Sequence, residues 1–135
     1  MNNHKKIADL VIEYTGIDIY SNRKTQNIVD ARALFEYIMK HDYNSTYSKL
    51  SDHYRKNGKQ RKHSVMIYSV RNFENEIRHR RKDFNEYYQN ILQTDITVKQ
   101  YKNAYKLITE NLKNQKQLRK IRKYITEVLE EQPKN

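Results

Sequence analysis

The chain has 135 residues, 32% of them charged, with 27 Lys/Arg against 16 Asp/Glu and a formal net charge of +11. That length suits one domain, or one domain with an appendage, and so basic a balance favours a polyanionic partner, nucleic acid first. With no cysteine, neither a disulfide framework nor a thiolate metal site is possible.

In chain order, apolar residues recur at helical spacing. Ile7, Leu10, Val11 and Tyr14 lie at i, i+3, i+4 and i+7, which predicts a short amphipathic helix. Gly16 is placed to end it, because glycine tolerates a left-handed cap. A polar, basic stretch follows from Ser21 to Gln26, and a second helix buries Ala31, Leu34, Phe35 and Ile38. Asn44, Ser45 and Thr46 supply a turn and an N-cap for a third helix, which buries Tyr47, Leu50 and Tyr54. The loop from Arg55 to Gln60 carries Gly58. A fourth helix opens on Arg61-Lys62-His63-Ser64 and buries Met66, Val70, Phe73 and Ile77, with Lys62, Val65, Ser69 and Asn72 turned away. Phe84, Tyr87, Tyr88, Ile91 and Leu92 predict a further helix, with a break expected at Thr94-Asp95. Tyr101, Tyr105, Ile108 and Leu112 mark another segment, and Leu118, Ile121, Ile125, Val128 and Leu129 a last one. No strand alternation competes, and only Gly16, Gly58 and Pro133 are glycine or proline. The expected fold class is therefore all-α, with a domain over 1–93 and a basic helical extension over 94–135.

The stretch from Asn44 to Glu76 is the most informative. Two short amphipathic helices are joined by a glycine-containing loop, and the second opens on basic residues, which is the pattern of a helix-turn-helix. Residues 55–82 hold ten Lys/Arg and only two acids, Glu74 and Glu76, so the basic excess is concentrated there.

Particular residues add to this pattern. Ile7 to Ile17, IADLVIEYTGI, is similar to an opening helix that ends V-x-E-Y-Y-x-I. Ile28 to Arg32 resembles a hydrophobic-plus-arginine step after a basic loop. Arg61-x-His63-Ser64 is similar to the signature R-D-H-T-T-V, Arg71-x-Phe73-Glu74 to R-K-I-E, and Lys82-Asp83-Phe84 to a terminal D-F helix. In this order, over residues 5–93, the chain resembles the C-terminal DNA-binding domain of the bacterial chromosomal replication initiator DnaA. The resemblance implies a trihelical helix-turn-helix bundle, of the kind shared by the Trp repressor and DnaA domain IV, docked in the major groove of double-stranded DNA. It implies base reading by Lys62, His63, Ser64 and Val65, minor-groove insertion by Arg23 and Lys24, and phosphate contacts by Arg32 and Lys40. Lys59, Arg61 and Arg71 are further phosphate candidates by charge and place.

The chain departs from the family at informative positions. The signature aspartate, an acceptor, is Lys62 here, a donor, and the second threonine is Val65. Charge in the basic loop is lost at Asn22 and Gln26, and the loop before the recognition helix is longer, around Lys56 to Lys59. Because a base edge is read by donor and acceptor identity, the fold and docking are expected to carry over while the target site diverges. No G-x-x-x-x-G-K-[ST] loop is present, so no nucleotide is expected to bind.

The expected function is sequence-specific DNA binding in replication control or transcription regulation. The competing expectation is the same fold reused as a structural or protein-interaction module with only non-specific DNA affinity. Residues 94–135 are expected to pack on the domain or to form a homodimer, which would suit a palindromic site. Arg119, Arg122, Lys123, Lys116 and Lys120 there either extend the DNA contact or form a solvated face. No enzyme, cofactor or metal is expected. His63 and His53 stand ten residues apart, and His4, His41 and His79 read as isolated, exposed residues. The beginning MNNHKKIADL lacks a signal-peptide core and no apolar run reaches membrane length, so the expected place is the cytoplasm, at the nucleoid.

Overall fold

The computed structural model describes the backbone of residues 2–111 and 115–130, and the side chains of 2–108, 119 and 122–128. Helices joined by loops and turns make up the described residues, and no strand occurs among them. Leu112, Leu118, Ile121, Leu129, Lys116 and Lys120, read above as stripe or basic-face residues, lie outside the described side chains. The chain divides into two compact units, residues 1–93 and residues 94–135.

In the first unit, α1 spans Asn3–Thr15. The Asn2 side chain accepts from the Lys5 backbone N–H at its start. At its end Gly16 sits at φ 68°, and its N–H returns to the Ile12 carbonyl. α2 spans Gln26–His41, with Thr25 as N-cap. α3 spans Tyr47–Lys56, with the Thr46 hydroxyl accepting from the Lys49 N–H at 3.1 Å. α4 spans His63–Asn72 and runs on through one π-helical turn, Phe73–Ile77, into the short α5, Arg78–Arg80. Arg81 is extended and redirects the chain into α6, Lys82–Asn111.

α2 is the central helix. Every residue from Asp30 to Met39 is buried, and α1, α3, α4 and the π turn all pack against it. Ile7, Val11, Leu34, Phe35, Ile38, Leu50, Tyr54, Met66, Phe73, Ile77, Phe84 and Ile91 form one core. Such all-round burial brings polar residues inside, and they are satisfied in pairs. Asp30 meets Arg81 at 3.1 Å and Gln26 at 2.8 Å, and Asp42 accepts from the Tyr88 hydroxyl at 3.0 Å. Tyr37 donates to Glu74, which also pairs with Arg78 at 3.0 Å.

Three expectations are corrected. The helix does not break at Thr94-Asp95; α6 continues, with Asp95 buried and paired to Lys99 one turn on at 3.0 Å. Neither residue removes a backbone donor, so nothing stops the helix there. Ser69 is not turned outward but is buried, accepting from Arg61 at 3.1 Å. His4 and His41 are not isolated: the His4 ring stacks on His53 at 5.8 Å and hydrogen-bonds the Ser45 hydroxyl at 2.7 Å, and the His41 ring, though exposed, stacks on Tyr37 at 5.0 Å.

The second unit holds residues 94–111 of α6 together with α7, Gln115–Glu130. Arg119, Arg122, Lys123 and Tyr124 are exposed there, and Ile125 and Val128 are half-buried. No described helix is long and apolar enough to cross a membrane.

Candidate nucleic-acid interface

The connection between α3 and α4, residues 57–62, is folded tightly against the end of α3. The Asn57 and Lys59 N–H groups both return to the Tyr54 carbonyl, at 3.0 and 2.9 Å, and Gly58 adopts φ 78°. α4 then starts with its core face on Met66 and Ser69, and Phe73 and Ile77 carry that face on through the π turn. By the 100° step of a helix, this leaves the first turn outward on its other sides. Lys62, His63, Ser64 and Val65 are accordingly all exposed, Val65 by 41%.

Arg61, one residue before, does something different. Its guanidinium grips buried Glu36 with two bonds, Nε at 2.7 Å and a terminal nitrogen at 3.0 Å, and also reaches Ser69. Glu36 accepts a third bond from the Tyr54 hydroxyl at 2.7 Å. The Arg61 side chain is only 11% exposed. Burial pushes its pKa down, but the hydrogen bonds and negative charge of Glu36, with Tyr54, more than offset this and leave it above the ordinary value. The phosphate contact expected of Arg61 is therefore corrected: this residue fixes where α4 begins.

Arg32 is a second correction. It is 4% exposed, and its guanidinium donates to the Ile19 carbonyl at 2.7 Å and to the Ser21 carbonyl. Buried under the loop, it has no face left for a phosphate. It holds the loop between α1 and α2 from beneath, leaving Arg23 and Lys24 exposed above.

The Ser21 carbonyl also accepts from the Lys59 ammonium, at 3.2 Å. This one oxygen therefore joins the loop that carries Arg23 and Lys24 to the connection that leads into Lys62. Lys59's pKa is pushed down by burial and by the nearby charges of Arg32, Arg61 and Lys24. Ser51, Arg55, Lys59, Gln60, Arg61 and Lys62 line a depression of about 280 Å³ on the same stretch.

Lys40 is half-buried, with its ammonium 4.4 Å from the centre of the Tyr47 ring, and that ring lies 6.5 Å from His63. Lys40 and His63 thus flank one tyrosine. Arg71 is exposed at the far end of α4, away from Lys62, beside a depression lined by Tyr68, Asn72, Asn75 and Glu76. Tyr68, 70% exposed, was not among the expected site residues. Its position four residues after Ser64 on a helix was the available signal.

Of the expected site residues, Arg23, Lys24, Lys59, Lys62, His63, Ser64 and Val65 are accessible around the α3–α4 connection and the loop tied to it. Among the described residues, no group of His, Asp or Glu is arranged to hold a metal ion. No protein-family model, curated protein or solved structure matches the chain.

Proposed function

We propose that the chain is a sequence-specific double-stranded DNA-binding protein that lays the first turns of α4 in the major groove. The supporting observation is the Ser21 carbonyl, shared by Arg32 and Lys59, which ties the Arg23–Lys24 loop to the approach to α4. A helix start with exposed donors beside a basic loop is the arrangement a helix-turn-helix uses to read base edges and grip the backbone together. On this reading, Lys62 donates to guanine, His63 and Ser64 bond base edges, and Val65 meets a thymine methyl. Arg23 and Lys24 enter the minor groove, and Lys40, Lys59 and Arg71 neutralise phosphates. The role is control of replication initiation or of transcription, at sites like or diverged from those of the initiator family. DNA binding is tested by titrating labelled duplex across about 50–200 mM salt. Each such contact contributes about −0.9 to the slope of log Kobs against log salt, and the five cations named here together lower affinity by about 500-fold over that range. A flat slope overturns the proposal.

The protein-interaction reading draws on the exposed apolar side chains of Val65 and Tyr68 on α4. It gives duplex binding that is salt-labile and indifferent to sequence.

A further inference from the structure

Tyr68 is the most exposed of the large apolar residues in the first unit, at 70%, and none of its groups hydrogen-bonds or stacks on another described residue. A single exposed ring needs no partner to account for it, so what bears on Tyr68 is its place, next to exposed Val65 on the outward side of α4. On α4 the core side is Met66 and Ser69, with half-buried Val70 beside them. At 100° per residue, Ser64, Tyr68 and Arg71 lie diametrically opposite, so Tyr68 stands at the outward pole one turn beyond the first turn. Exposed Val65, three residues earlier, lies on the adjoining strip. The two make an apolar pair between the polar start of the helix (Lys62, His63, Ser64) and exposed Arg71.

Resting on the DNA-reading function proposed above, we infer that the Tyr68 ring is a specificity-determining contact that reads a thymine methyl group in the major groove. Thymine C5 carries the one apolar group that the major groove presents, and an apolar side chain at the groove-facing pole is what detects it. The phenol's position at the pole, with Arg71 beyond it, suits the groove floor, and the flanking cations suit the phosphates. Asn72, beside Tyr68 around the same depression, carries the amide that pairs with adenine, the thymine's partner base. The selected site therefore contains an A·T pair next to the bases read by Lys62, His63 and Ser64.

The experiment takes the duplex that the whole chain selects from random sequence and replaces each thymine in turn by deoxyuridine, which deletes only the methyl. Wild type is expected to lose about fourfold in affinity at one or two positions, the factor that burying one methyl-sized group supplies. Tyr68→Ala is expected to bind thymine and uracil duplexes equally at one of these positions. Tyr68→Phe, which keeps the ring, is expected to retain the difference. Because Tyr68 is exposed, both variants should unfold at the wild-type temperature. Silence of every thymine-to-uracil change in wild type, or persistence of every such loss undiminished in Tyr68→Ala, overturns the inference and leaves the DNA-reading function standing. If wild type selects no motif at all, both fall.

Discussion

Replacing Arg61 by alanine separates a structural cation from a DNA-binding one. Arg61 makes two bonds to Glu36, a carboxylate with no exposure, and Tyr54 makes the third. Removing the guanidinium strands that charge in the core, and breaking a buried pair from one side costs about 3–5 kcal/mol. The Arg61 side chain retains 11% exposure, so the lower end, about 3 kcal/mol, is the appropriate figure. For a unit of this size each kcal/mol moves Tm by about 4–8 °C, which gives a fall of about 12–24 °C by circular dichroism. Arg61→Ala/Glu36→Leu, which removes both charges, should recover much of it. The DNA arm is as important. At a temperature where the variant is folded, its salt slope should match wild type, because Arg61 neutralises no phosphate. An unchanged Tm together with a slope smaller by about 0.9 would refute the assignment of Arg61 to the fold.

Arg23→Ala and Lys24→Ala, at exposed positions, should leave Tm unchanged and each lower the salt slope by about 0.9, read by fluorescence anisotropy. His53 is buried, and desolvation first, then the charge of His4, lowers its pKa from 6.5 to about 4. The unfolded chain therefore binds one more proton than the folded chain as pH falls from about 6.5 to about 4. Stability is lost across that window, by at most about 3 kcal/mol, with no effect of this residue above it. Urea midpoints between pH 7 and pH 4 should show the loss, and His53→Gln should flatten it; an equal slope in both would contradict the assignment. Thr46→Ala, deleting the cap on the Lys49 N–H, should cost about 1 kcal/mol in denaturant titration. Residues 94–135 either pack on the domain or pair two copies of the chain, and the pairing alternative has a direct test. Sedimentation should report a dimer that removal of these residues returns to monomer, and a monomer at every concentration would dismiss the pairing.

The helices of the first unit were legible because their signals are local. Gly16, Thr46 and Gly58 stand where the chain requires a left-handed cap, an N-cap and a positive φ. The stripe from Met66 to Ile77 has the spacing of one helix face, and the π turn at Phe73–Ile77 leaves both of its ends in the core. The candidate site was legible where it depends on position along a helix, at Lys62 to Val65. It was illegible where it depends on burial by a partner far away in sequence. Arg32 and Arg61 look like any other cations in a basic sequence. What removes them from the surface is the carbonyls of Ile19 and Ser21 in one case and Glu36 in the other. One signal was present: Glu36 lies amid Ala33, Leu34, Phe35, Tyr37 and Ile38, where a carboxylate without a cation would be costly. The continuity of α6 through Thr94-Asp95 was missed because a threonine and an aspartate were read as a break, though Lys99 follows at i+4 to pair with the aspartate.

The most direct test of the central claim is selection of random duplex DNA by the whole chain at about 150 mM salt, where weak surface attraction is largely screened. The account predicts enrichment of one defined motif, and loss of preference at one or two of its positions in Lys62→Ala, at a cost of about 1–3 kcal/mol there. A pool that stays random, with binding that disappears as salt rises, would contradict sequence reading by α4 and favour a protein-interaction module.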